Sequence, residues 1–240
     1  MLTCPCGKEH PISSFKIGSK TFRRPSPELC DECYDRLSSE DAQKRSDDEQ
    51  AARLLALGYR WSQVCPPLFR DTDPNKLPLP DIYSHAMQWD AVGGLLLKGP
   101  TGTGKTRTAY QILKHLLYQD KRVMAYDFIQ FGVEATEAAY ETRLSSWLTP
   151  LLSVDALLLD DLGKNAITKR VAESLFKVVS HRMEHNLATI ITCNLNGGQL
   201  MKMLPPDMGP ALLRRLREYC EVVVFAPGST ISPKPASRVG

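Results

Sequence analysis

The chain has 240 residues, 42% of them hydrophobic and 24% charged, enough apolar material for one medium-sized core plus a small extra module. A formal charge of +3 and a pI near 8.4 permit nucleic-acid binding but fall short of the strongly basic balance of a dedicated DNA-binding domain. No apolar run approaches the roughly 18–20 residues of a membrane span, and Met1-Leu2-Thr3-Cys4-Pro5-Cys6 lacks the apolar stretch of a signal peptide, so a cytoplasmic protein without membrane contact is expected.

Residues 1–36 hold four of the seven cysteines, several basic residues and prolines, without lasting periodicity. Cys4 and Cys6 form one close pair, Cys30 and Cys33 another, with 23 residues between the pairs. In a reducing compartment such a cluster points to a metal before disulfides. Tetrahedral Zn²⁺ takes four thiolates, and short-spaced pairs on two turns are how small modules supply them. Gly7 suits a tight turn after Cys6, and His10 is a spare ligand; free thiols, a redox pair or disulfides are the alternatives. Cys65, Cys193 and Cys220 stand alone and read as packing residues.

Residues 38–57 read as a charged helix running from Ser38 through Leu54, Leu55 and Leu57, with Gly58 as its C-terminal stop. Residues 59–90 are Pro-rich, an extended lead-in interrupted by a short helix over Tyr83 to Trp89. From 92 onward strands and helices alternate. Strands are predicted over Val92 to Lys98, Arg122 to Tyr126, Ala156 to Asp160, Ala188 to Cys193 and Glu221 to Phe225. Helices are predicted over Lys105 to Tyr118, Phe131 to Trp147, Lys169 to Glu184 and 209–218. Near-continuous apolar strands between helices imply a five-stranded parallel sheet covered on both faces. The expected division is a cysteine module over 1–36, a helix and lead-in over 37–90, an α/β domain over 91–228 and a loose tail over 229–240.

Gly99-Pro100-Thr101-Gly102-Thr103-Gly104-Lys105-Thr106 satisfies G-x-x-x-x-G-K-[ST] at every fixed position, between a predicted strand and a predicted helix. Glycines let successive N–H groups turn inward around phosphates, and the following helix adds its positive end. Lys105 would place a cation on the β- and γ-phosphates of ATP, the Thr106 hydroxyl would ligate Mg²⁺, and Arg107 extends the nucleotide-binding run. The apolar Ala156-Leu157-Leu158-Leu159 ends in Asp160 and Asp161. Asp160 is expected to hold Mg²⁺ and Asp161 to act as general base on the attacking water, the alternative being a solvated or helix-capping carboxylate. Asn194 ends the next strand and could orient that water; the alternative is a turn-forming Asn. Arg214 and Arg215 precede the last strand, where an arginine can reach a neighbouring subunit's γ-phosphate; the alternative is a solvated basic face. Arg23-Arg24, Lys164, Lys169-Arg170, Lys202 and Arg214 to Arg217 could meet DNA phosphates or be ordinary solvated charge.

These residues resemble the AAA+ P-loop NTPases, and among them the DnaC/IstB-like group of bacterial and phage helicase loaders and insertion-sequence transposition helpers. The likeness runs over roughly 60–228. It rests on the P-loop, on Leu158-Leu159-Asp160-Asp161-Leu162-Gly163, on Phe176 to Arg182, on Thr189 to Leu195 and on Leu213 to Arg217. It implies ATP-driven assembly on a replicative helicase and on single-stranded DNA. By position Asn194 matches sensor 1, Arg215 the arginine finger of self-association, and Arg182 an arginine of the preceding helix. Cys193 stands where the group usually has Ser, and no arginine just after the last strand fits sensor 2. Some loaders in the group carry an N-terminal zinc module that contacts the helicase. Three readings follow: an ATPase that loads or remodels a helicase; a transposition helper on duplex DNA; or a nucleotide-gated binding module with little turnover.

Overall fold

The computed structural model describes residues 1–11, 14–17, 19–23, 28–164 and 167–227. The chain divides into two compact units, Met1–Gly58 and Tyr59–Gly240. The expected loose tail lies outside the described residues.

In the first unit β1 (Leu2–Thr3) pairs antiparallel with β2 (Glu9–His10), and β3 (Ser14–Ile17) with β4 (Lys20–Arg23). The turn between β1 and β2 is closed by the Gly7 N–H donating to Cys4 O and the Cys4 N–H to Lys8 O, both at 2.8 Å. Helix α1 spans Asp31–Val64, and the unit boundary falls within it.

Gly58 does not stop α1, which corrects the sequence expectation. An interior glycine costs only about 1 kcal/mol relative to alanine, less than burial of a large apolar side chain contributes, and Trp61 and Cys65, one turn apart, are both buried beyond it. The stop is supplied from downstream, where Arg70 Nη2 donates to Ser62 O at 2.6 Å and Nε to Cys65 O at 2.8 Å, satisfying carbonyls that a helix end leaves open.

The lead-in is more helical than its prolines suggest. Pro67, Pro74 and Pro80 each begin a short element, where a missing N–H is harmless: α2 (Pro67–Arg70), a 3₁₀ turn (Pro74–Lys76) and α3 (Pro80–Ala86). Then come β5 (Gly94–Lys98), α4 (Lys105–Tyr118), β6 (Val123–Asp127), α5 (Phe128–Tyr140), α6 (Leu144–Ser153) and β7 (Ala156–Leu162). They are followed by α7 (Lys169–Glu184), β8 (Ala188–Cys193), α8 (Gly197–Met203), α9 (Gly209–Tyr219) and β9 (Cys220–Val224). The single helix expected over 131–147 is two helices. Thr142 breaks it with φ 56°, a left-handed turn that no Gly or Pro announces. Helix α8 was not expected; Asn196 and Gln199 cap it reciprocally, each side chain accepting the other's backbone N–H at 2.9 Å.

The five strands β5 to β9 form one sheet in the order β6-β7-β8-β5-β9, every neighbouring pair parallel. Side chains alternate along a strand, so Leu157, Leu159 and Ile191 face one apolar layer with Phe131, Leu151, Leu175 and Val179 from α5, α6 and α7. Leu158 and Ile190 point the other way, and α4 packs against β7 and β8 there. Strand order reverses at β5, which places a crevice at its carboxyl end. Among the described residues no helix is long and apolar enough to cross a membrane.

Candidate functional site

The segment from Gly99 to Gly104 connects β5 to α4 at that crevice. Gly99 is fixed by close approach: a Cβ there would lie 2.2 Å from Phe225 O, just past β9. Gly104 caps α4 with φ 95°, in the left-handed region that side chains resist. The loop therefore presents backbone N–H groups and a helix N-terminus to one cleft of about 390 Å³. Thr101, Gly102, Gly104, Lys105, Thr106, Asp161 and Asn194 line it, with Phe69 and Lys76 to Pro78 forming another wall.

Lys105 is buried, and its Nζ donates to Pro100 O at 2.7 Å. Burial lowers its pKa, against the pull of Asp161 and Asp160. Thr106 Oγ1 donates to Asp160 Oδ1 at 3.0 Å. Burial raises the Asp160 pKa, opposed by the hydroxyls of Thr192 and Thr106. Asp161 lies at a β-bulge with φ 60°. Asn194 Nδ2 donates to its Oδ1 at 3.0 Å, and Lys164 Nζ is 3.5 Å from its Oδ2. The P-loop, Asp160, Asp161 and Asn194, remote in sequence, thus meet in one place.

Two groups of residues in this site escaped sequence reasoning. Thr192 donates to Asp160 Oδ1 at 2.6 Å and accepts the Asp161 N–H at 2.8 Å; the sequence placed it in the Thr189 to Leu195 segment that carries the family resemblance, without giving it a role. The Phe69 wall belongs to the supposed lead-in: Phe69 stacks on Tyr110 at 5.2 Å, and Arg107 lies over its ring at 5.6 Å. Arg107 also donates to Leu68 O and Thr72 Oγ1, so it braces this wall.

Arg215 is not in the cleft. It lies on α9 with its guanidinium 4.9 Å over the Phe176 ring and 3.4 Å from Glu184. Arg182 is wholly buried and bonds the ends of neighbouring elements. Cys65, Cys193 and Cys220 are buried, as packing residues should be. The Cys193 thiol donates to Leu162 O at 3.3 Å, a contact a serine hydroxyl could also make.

In the first unit, the sulfurs of Cys4, Cys6, Cys30 and Cys33 lie within 4.8 Å of one another. Cys4 and Cys6 come from the β1–β2 turn, Cys30 and Cys33 from the start of α1. Backbone N–H groups of Cys30 and Cys6 pull the Cys4 thiol down to about 6, while the neighbouring thiols push Cys33 up to about 12. His10 stays outside the cluster, its ring nitrogens facing the carbonyls of Pro11 and Glu28.

A sequence model of the family described as IstB-like ATP binding protein matches residues 85–231. The chain is 28% identical over 126 residues to the chromosomal replication initiator protein DnaA of Bacteroides fragilis, covering 52% of this chain and 24% of that one; it spans about a quarter of the length of the curated relatives it matches. Its fold is similar to the crystal structure of the DnaC helicase loader (TM-score 0.53, 20% identity, 70% of this chain and 99% of that chain). It is also similar to replication initiator DnaA bound to AMPPCP and single-stranded DNA (TM-score 0.54, 17% identity, 67% of this chain and 50% of that chain).

Proposed function

Because the chain belongs to the family of IstB-like ATP binding proteins, we propose that it is an ATP-hydrolysing AAA+ switch that assembles on a replicative helicase, loads or remodels it, and contacts single-stranded DNA. The observation that carries the nucleotide half is the linked set of side chains at the P-loop mouth, Thr106 to Asp160 and Asp161 to Asn194. Lys105 and the P-loop N–H groups hold the ATP phosphates. A hydroxyl and a carboxylate 3.0 Å apart are hard oxygen donors that suit Mg²⁺, so Thr106 and Asp160 are assigned to hold it. When bound, the ion neutralises charge on the β- and γ-phosphates. Asp161 takes the proton of the attacking water, and Asn194 fixes its carboxylate. Arg215 serves the contact between subunits, exchanging Glu184 for a neighbour's phosphate.

The four-cysteine cluster is assigned to Zn²⁺. Zn–S bonds of about 2.3 Å in a tetrahedron place sulfurs about 3.8 Å apart, and Cys6 and Cys30 already lie at 3.7 Å. Residues 1–36 are assigned to this module and 91–228 to the ATPase domain, with 37–90 joining them and contributing Phe69 and Lys76 to Pro78 to the cleft wall.

The loader reading is supported by likeness over nearly the whole of a chain named as a helicase loader and by the cysteine module. The IstB-like family match, together with the resemblance to insertion-sequence transposition helpers, leaves a second reading, a transposition helper on duplex DNA. Capture of host proteins on the tagged chain with an ATP analogue separates them. A hexameric helicase should be retained by wild type and by Asp161→Asn but lost with Lys105→Ala, and single-stranded DNA should stimulate phosphate release by wild type alone. No helicase in the capture, with filaments forming on duplex DNA, overturns the loader reading.

A further inference from the structure

Asp160 and Asp161 are consecutive residues of a strand, and consecutive strand side chains point to opposite faces. Two adjacent acids on a regular β7 could not both serve one site. The strand solves this with an extra residue: Leu159 pairs with Ile191 but Leu162 with Cys193, so two residues of β7 oppose one of β8. The one they oppose is Thr192. Asp161, in the bulge, takes φ 60°, a conformation that costs an L-residue energy and persists only when its surroundings hold it. A bulge also takes the N–H of its extra residue out of the ladder. Here that N–H is satisfied by Thr192 Oγ1 at 2.8 Å, and the same hydroxyl donates to Asp160 Oδ1 at 2.6 Å. Thr192 has no solvent exposure, so water does not substitute for it.

We infer that Thr192 is a positioning residue of the ATPase site: its one hydroxyl fixes the Asp160 carboxylate beside Thr106 and locks the Asp161 bulge that turns the second carboxylate into the cleft. The inference rests on the reading of Asp160 as the Mg²⁺ residue and Asp161 as the base. A hydroxyl is required because the group must accept from one acid's backbone and donate to the other's side chain. Serine can do both; valine, of the same shape, can do neither.

The test compares wild type, Thr192→Val and Thr192→Ser in the full chain. Groups that orient metal ligands typically matter about 10–100-fold in metal affinity or activity when removed. Thr192→Val should therefore raise the Mg²⁺ concentration for half-maximal turnover by about tenfold and lower kcat by about 10–100-fold, while Mg²⁺-free binding of a fluorescent ATP analogue stays within about twofold of wild type. Thr192→Ser should recover both readouts to within about threefold. Equal impairment by Val and Ser assigns Thr192 to packing and overturns the inference, as does a Val variant that matches wild type. If the Val variant does not fold, Thr192→Cys, similar in size with a weakly donating thiol, takes its place and should show the same rise in Mg²⁺ requirement relative to Ser; its absence overturns the inference. A wild type that binds and turns over no ATP instead overturns the reading on which the inference rests.

Discussion

Arg182 is the largest of the fully buried side chains, an unusual place for a charge. Burial pulls its pKa down to about 10, which still leaves it cationic at neutral pH. The guanidinium offsets its desolvation by donating to Leu151 O, Val154 O, Ala188 O and Thr189 Oγ1 at 2.7–2.9 Å. These acceptors belong to the end of α6, the loop after it and the start of β8, so one planar fork ties three segments to α7. Lysine has no such fork. Arg182→Lys should lower unfolding stability by about 2–4 kcal/mol, because it leaves buried carbonyls unpaired, with nucleotide affinity of the folded protein unchanged. Urea unfolding followed by far-UV circular dichroism measures the first, titration with a fluorescent ATP analogue the second; a stability within 0.5 kcal/mol of wild type, roughly the scatter of neutral surface changes, refutes this account.

At the scale of elements, the site depends on how the sheet edge meets the P-loop. β5 ends at Lys98, whose carbonyl accepts the Phe225 N–H at 2.6 Å, and the next residue, Gly99, accepts no side chain at all against Phe225 O. Strand β9 therefore sets the height at which the loop leaves the sheet, although it contributes no residue to the cleft. Gly99→Ala should push the loop away from β9 and weaken ATP binding by at least about tenfold, the scale of a lost 1.4 kcal/mol. Isothermal titration with ATP is the check, and unchanged affinity would mean that the edge contact is slack. The same scale explains the Phe69 wall: Arg70 closes α1, and Phe69, adjacent in sequence, is thereby delivered onto Tyr110 beside the cleft.

At the scale of the whole molecule, the two units are held together internally by different means. The unit from Tyr59 onward has a sheet covered on both sides by apolar helices. Among the described residues of the first unit the buried apolar side chains are Cys4, Cys30 and Leu57, two of them members of the cysteine cluster. A metal held by that cluster would add folding free energy to the unit. Elemental analysis should find about one zinc per chain, the stoichiometry of a four-cysteine site, falling to near zero in Cys30→Ser/Cys33→Ser. Chelation should expose residues 1–30 to protease while ATP binding survives. Absence of zinc from protein purified without chelator ends the assignment.

What the sequence determined by itself was whatever is carried by local pattern. The strand, Gly-rich loop and helix around Lys105 were legible because phosphate binding needs those residue types at fixed spacing. The five strands were legible because strands buried on both faces are apolar throughout, and the two cysteine pairs because each pair is closely spaced along the chain, and their sulfurs do cluster. Tertiary structure decided the features that depend on partners far along the chain. Gly58 reads as a stop until Trp61 and Cys65 are seen to be buried past it. The break at Thr142 carries no glycine or proline to announce it. Thr192 reads as one member of the Thr189 to Leu195 segment, with no role of its own, until β7 and β8 are aligned and it is found facing an extra residue between two acids. A register between strands more than thirty residues apart is set by packing and hydrogen bonding across the sheet, and no local pattern encodes it.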